Sequence, residues 1–220
     1  MLAGRLSDKM SSELGYYFRV VAELYFLEVS MKNTKVTLVP LTPEDREQFI
    51  LDNQWAFKHG ALLEFGERDN HLDFDGEIIS RKTIEMSIDG EDAETYRIQL
   101  DGENVGGVIL RIDKETHHNE LEILFVKPEA HSKGVGYGAW LAVEALYPET
   151  VVWETCTPYF EKRNIHFYVN KCGFKIDEFW CEYFKPDVEM PDEVPQDEGP
   201  DEMFHFVKVM KQTHASGMEK

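Results

Sequence analysis

Glu120 and Glu122 stand two residues apart in the run Asn-Glu-Leu-Glu-Ile-Leu-Phe-Val, residues 119–126. Side chains of a strand alternate between its faces. Both carboxylates therefore project from one face, while Leu121, Ile123 and Phe125 pack on the other. Apolar walls around such a carboxylate raise its pKa toward neutrality and make it a useful general base. A solvated strand face accounts for the pair equally well. Directly afterwards Val126-Lys-Pro128 leads into His131-Ser-Lys-Gly134-Val-Gly136-Tyr-Gly138, with three glycines in five positions at a strand-to-helix turn. Each costs about 0.5–1 kcal/mol against alanine. Bare backbone N–H groups at a helix start, backed by the helix dipole, hold anions and phosphates in particular. The other reading is a tight turn with close helix packing. Neither common nucleotide signature matches. Ser132 and Lys133 precede the glycines instead of following them, and the glycine spacing is GxGxG where the dinucleotide turn needs GxGxxG.

Other reactive residues carry less. His117 and His118 are adjacent on a strand and point to opposite faces, so no metal site is expected. Cys156, Cys172 and Cys181 have no CxxC spacing and no disulfide framework, which fits a reducing, cytoplasmic setting and small buried side chains. Cys156 ends a strand and could be read as a nucleophile, but no activating His-Asp set is visible beside it in the sequence. Trp153, Tyr159, Phe160, Phe179 and Trp180 read as core and pocket lining.

The balance of 42 acidic against 23 basic residues in 220, a formal charge of −19, excludes a general nucleic-acid binder and docking on anionic lipid. It favours a cationic small molecule or basic peptide. No apolar run reaches the eighteen or more residues of a spanning helix.

The elements that must position these residues alternate along the chain. Residues 1–30 read as an extension ahead of a natural start at Met31; its Tyr16–Val29 stretch is apolar but interrupted by Arg19, Glu23 and Glu28. The domain is expected over 31–211, with a tail at 212–220. Lys35–Leu41 is a strand. A helix follows with Thr42 as N-cap and Pro43 in its first turn, its apolar side supplied by Phe49, Ile50, Trp55 and Phe57. An acidic connector leads to a second helix around Ile78–Ser87. Two strands around Asp101-Gly102-Glu103-Asn104 form a hairpin, and Asn119–Val126 is the third strand of the meander. Then come a helix from Gly134 to Leu146, a strand over Thr150–Cys156, a helix across residues 157–174 ended by Gly173, and a strand over residues 174–184. A loop at 185–202 with four prolines and eight acids precedes the closing strand Met203–Lys211. The order is β-α-α-β-β-β-α-β-α-β-β.

That order, together with two motifs, resembles the GNAT superfamily of N-acetyltransferases. The first motif is the turn after Val126-Lys-Pro128, with His131 where the family carries Gln or Arg. The second is Asn164, the pair Phe167-Tyr168, and Gly173-Phe174. The resemblance implies an α/β (α+β) domain whose mixed, mainly antiparallel sheet is flanked by helices. It implies acetyl-CoA as co-substrate and direct acetyl transfer to a primary amine. His131, Ser132, Lys133, Gly134, Val135, Gly136 and Tyr137 would wrap the pyrophosphate. Leu124, Phe125 and Val126 would lie along the pantetheine arm, and Asn164 would reach the coenzyme from the following helix. Tyr168 takes the place of the general acid; Glu120, or Glu122, takes that of the base. The expected partners are an amine acceptor, small molecule or peptide, and a second copy of the chain. A silent acyl-CoA-binding module on the same fold is the alternative.

Overall fold

The computed structural model describes residues 36–65, 77–184 and 202–210, side chains of 63–65 excepted. The extension over 1–30, the middle of the acidic connector, the loop at 185–201 and the tail at 212–220 lie outside the described residues. The described elements follow the expected order. They are β1 (Val36–Pro40), α1 (Arg46–Phe65), α2 (Arg81–Asp89), β2 (Ala93–Leu100), β3 (Glu103–Arg111), β4 (His118–Val126), α3 (Val135–Leu146), β5 (Val152–Pro158), α4 (Lys162–His166), β6 (Lys175–Trp180) and β7 (Met203–Val209). The strands form one sheet in the order β1-β2-β3-β4-β5-β7-β6, antiparallel throughout except for β4 beside β5.

Local chemistry sets the boundaries and moves several from where the sequence pattern puts them. Pro43–Asp45 forms a 3-10 turn before α1, and Thr42 contributes its backbone carbonyl instead of a side-chain cap. The second helix starts at Arg81, because the Ser80 hydroxyl accepts from the Thr83 N–H at 3.0 Å. The β2–β3 turn is only Asp101-Gly102, both with positive φ, the geometry a two-residue hairpin needs. The helix expected across 157–174 is shorter. Thr157 and Pro158 belong to β5, α4 begins at Lys162, and Phe167–Cys172 continues it as a wider π-helical turn. Gly173, at φ 81°, ends it as expected.

Two cores sandwich the sheet. On one face Phe49 and Ile50 of α1 and Ile84 of α2 pack on Ile109, Ile123 and Phe125. On the other, Trp140 and Val143 of α3 meet Val108, Leu110, Leu121, Trp153, Phe174 and Phe206. Trp55, expected on the apolar side of α1, is half exposed and lies against His59 instead. An ion network fastens α1 to the sheet. Buried Arg97 holds Asp45 at 2.5 Å and Asp52 at 2.8 Å, and Lys127, the first residue after β4, reaches Asp52 at 3.0 Å.

Candidate functional site

The register of β4 decides where its carboxylates point. Ile109 lies opposite Ile123 and Leu110 opposite Leu121, so Glu122 is an extra residue, a β-bulge. The bulge breaks the alternation. Leu121 joins the α3-side core, whereas Ile123 and Phe125 turn to the α1–α2 side. The sequence-based expectation placed all three on one face away from the glutamates, and the bulge corrects it. Ile123 and Phe125 thus share a face with Glu122, which receives the Ser87 hydroxyl of α2 at 2.7 Å.

The two glutamates differ in environment. Glu122 is bound by Arg111, with Nε 2.7 Å from its carboxylate, as well as by Ser87. Glu120 lies opposite Arg111 on one side and Glu154 on the other. Burial, reinforced by the charges of Glu122 and Glu154 and opposed by Arg111 and His205, pushes its carboxyl up to about 7.

Beyond Glu120 the sheet opens. Parallel pairing of β4 with β5 stops after Glu120–Glu154, although β4 runs on to Val126 and β5 to Pro158. At the vertex the Thr155 hydroxyl donates to the Leu121 carbonyl at 2.7 Å, on the side of β5 that faces Tyr168. Tyr168 is buried among Phe167, Phe174 and Phe206, and that burial raises its phenol well above the ordinary value, so it stays protonated. The splay leaves Glu122–Val126 without strand pairing on the β5 side. Leu124 and Val126 pack toward α3 and Phe125 toward α1.

The glycine turn stands at the open end of this splay, and its three glycines have three causes. Gly134 takes φ 72°, as does Ser132 before it at φ 64°, so that the chain enters α3 without a capping side chain. A Cβ on Gly138 would come within 2.9 Å of Val36, so that glycine lets α3 lie close on β1. Gly136 has neither reason. A Cβ there would meet only Phe167 at 3.6 Å and Val126 at 3.8 Å, which is ordinary contact. Its bareness leaves backbone open beside the first N–H groups of α3, which have no partner within the helix. Ser132, Lys133 and Gly134 are exposed, Tyr137 is half buried and Val135 is core. These residues fit a pyrophosphate at a helix N-terminus.

His131 acquires a role that the sequence left open. Its Nε2–H donates to the Val126 carbonyl at 2.9 Å, pinning the turn to the end of β4. Asn164 is exposed on α4, its amide 3.3 Å from the Thr157 hydroxyl at the end of β5. The predicted site residues lie on β4, on the turn that follows it, and on α4 with the π-helical turn that continues it. Sequence reasoning passed over Thr155 and Arg111, which fix the vertex and Glu122. It also passed over His205, whose Nδ1 is 2.7 Å from Asp177. Arg97 was legible in principle as a cation among the apolar residues of β2. Among the described residues no group of three or more His, Cys, Asp or Glu is placed to hold a metal ion. No helix among them is long and apolar enough to cross a membrane.

Residues 52–174 match the family described as Acetyltransferase (GNAT) family. The uncharacterized protein YrkN of Bacillus subtilis (strain 168) is 44% identical over 185 residues, which is 82% of this chain and 97% of that protein. The fold is similar to that of the ribosomal-protein-S18-alanine N-acetyltransferase of Escherichia coli, with TM-score 0.57 and 13% identity over 83% of this chain and 98% of that one. It is also similar to the PaiA N-acetyltransferase of Thermoplasma acidophilum in complex with coenzyme A, with TM-score 0.54 and 17% identity over 80% and 99%. A third is the spermidine N-acetyltransferase of Vibrio cholerae in complex with CoA and spermine, with TM-score 0.52 and 13% identity over 79% and 95%. With the splayed β4–β5 pair and the bare turn already in view, the chain belongs to the GNAT family of acetyltransferases, with acetyl-CoA as its co-substrate.

Proposed function

We propose that this acetyltransferase acetylates a primary amine of a cationic small molecule or peptide by direct attack. Glu120 carries the reading: a carboxyl pushed up to about 7 at the vertex of the splay. An acceptor amine arrives as an ammonium and must lose a proton before its nitrogen can attack. A base whose pKa lies near the working pH removes that proton without remaining saturated. The nitrogen then bonds to the thioester carbonyl carbon, the C–S bond breaks, and the departing thiolate takes a proton. Tyr168, buried and protonated, supplies it. Glu122, engaged by Arg111 and Ser87, orders the bulge and leaves the proton to Glu120.

The acceptor side of the sheet is acidic. Glu154 lies opposite Glu120, and Cys156 stands two residues further along the same face. Its thiol is pushed up to about 12, first by burial and then by the charges of Glu120, Glu154, Asp177 and Glu178. A thiol so held is not a nucleophile, which supports direct transfer over an acetyl-cysteine intermediate. The same four carboxylates attract a cation.

The test is an amine panel that follows free thiol release from acetyl-CoA. Spermidine and a peptide with N-terminal alanine follow the acceptors named for two fold relatives; a lysine peptide and an aminoglycoside widen it. The expected outcome is turnover of a polycation whose KM rises between low and physiological salt, as screening over about 8–10 Å shortens the reach of the acidic face. A best acceptor that is neutral or anionic, with a KM insensitive to salt, would overturn the assignment.

A further inference from the structure

On the acceptor face of the sheet, two strands from Glu120, stands a histidine whose orientation is fixed on two sides. His205 of β7 has its Nδ1 2.7 Å from the Asp177 carboxylate. Its ring also stacks on Trp180 at 5.1 Å and 19°. Asp177 reaches it because the β6–β7 register slips between Ile176 and Glu178, leaving Asp177 as the bulged residue. A carboxylate on Nδ1–H holds the imidazole in the tautomer whose Nε2 lone pair is free, the arrangement that makes histidine a proton acceptor. His205 lies directly opposite Cys156 on the β5–β7 ladder. Cys156 in turn follows Glu154, the partner of Glu120, by two residues on the same face. His205 is close enough for its charge to act on Glu120.

We propose that the Asp177–His205 pair carries the acceptor's proton away from Glu120. This rests on the acetyl-transfer reading above and adds a residue to it. Glu120 takes the proton from the ammonium as the N–C bond forms. That proton passes from Glu120 by way of water to His205 Nε2, two strands away on the same face, which releases it to solvent and so restores the carboxylate for the next turnover. Asp177 stays ionised and stabilises the imidazolium. The thiolate receives a separate proton from Tyr168, so each proton has one source and one destination. The other titratable groups near the pair on this face are Glu154 and Cys156 on β5 and Lys175 and Glu178 on β6, while Glu122 and Arg111 flank Glu120. Glu178 is occupied with the Trp180 indole N–H at 2.7 Å. As a purely structural cross-link between β6 and β7, the pair would contribute to stability and nothing else.

Two measurements on the full chain separate these roles. In the first, His205→Ala and Asp177→Asn are assayed with acetyl-CoA and spermidine across pH 5.5–9. A carrier predicts that kcat falls by about 10- to 100-fold for His205→Ala, the lower end of what proton-transfer groups contribute. It also predicts that added imidazole restores part of the loss, that the pH profile changes shape, and that thermal stabilisation by acetyl-CoA is retained. Asp177→Asn should show a smaller loss of the same kind. A lower melting temperature with an unchanged pH profile and no imidazole rescue would overturn the proposal in favour of the cross-link. The second measurement needs no acceptor: the His205 ring nitrogens are titrated by NMR in the wild type and in Glu120→Gln. The proposal expects the Nδ1–H tautomer and a midpoint that moves when Glu120 cannot ionise. The other tautomer, or an identical midpoint in both proteins, would overturn it. If the wild type fails to turn over spermidine, the acceptor is another amine of the panel, and the titration still decides the proton carrier.

Discussion

Glu120→Gln should make the enzyme worse and the protein more stable, and the gain should depend on pH. The carboxyl's ordinary value of 4.5 is displaced to about 7 in the folded chain, mainly by burial. At 1.36 kcal/mol per pH unit, that displacement corresponds to about 3 kcal/mol. The sign follows from proton linkage. Between the two values the folded chain keeps the proton while the unfolded chain has lost it. Stability is therefore fully present below about 4.5 and falls as pH rises through about 7. Glutamine keeps the shape and cannot ionise. The variant should match the wild type near pH 4.5 and exceed it by up to about 3 kcal/mol at pH 8. Urea unfolding at the two pH values measures this directly, and kcat/KM over the same range should lose its rising limb. A Gln variant less stable than the wild type at pH 8, or offset equally at both pH values, would refute the buried-carboxylate account of the base.

Gly136→Ala should also separate stability from function. The new Cβ meets only ordinary contacts, and alanine is the better helix residue by up to about 1 kcal/mol, so the free protein should melt no lower while acetyl-CoA stabilises it less. An undiminished increment from acetyl-CoA would remove Gly136 from the binding turn. Gly134→Ala should instead cost the free protein about 1–2 kcal/mol, since the left-handed φ of 72° is retained, and a denaturant melt reads this. Tyr168→Phe keeps the aromatic packing and should melt close to the wild type, while turnover should fall by about 10²–10⁴. Wild-type turnover in that variant would hand the thiolate's proton to water.

The element order and the bare turn could be read from local pattern, because hydrophobic period, Asp-Gly and Gly173 each act within a few residues. What escaped the sequence depends on pairing between distant segments. The bulge at Glu122 arises from register against β3, so strict alternation put Ile123 and Phe125 on the wrong face. The difference in environment between Glu120 and Glu122 depends on Arg111 and Ser87, eleven and thirty-five residues from Glu122. His205 and Asp177 meet across twenty-eight residues, so an oriented His-Asp pair beside Cys156 left no mark in local spacing. His131 read as a departure from a motif until its bond to Val126 showed what the ring does.

Only three residue pairs join β4 to β5, whereas seven join β5 to β7. By backbone pairing the sheet is thus two blocks, β1–β4 and β5–β7, meeting along a short seam that the Thr155 side chain and the α3-side core reinforce. Blocks linked by few backbone hydrogen bonds open more readily than they unfold internally. An acyl donor lodged between them touches both and favours the closed sheet by mass action. The integrity of the C-terminal block thereby becomes coupled to the supply of the donor. When that supply falls, the β4–β5 seam would lose the donor's contribution and open more often.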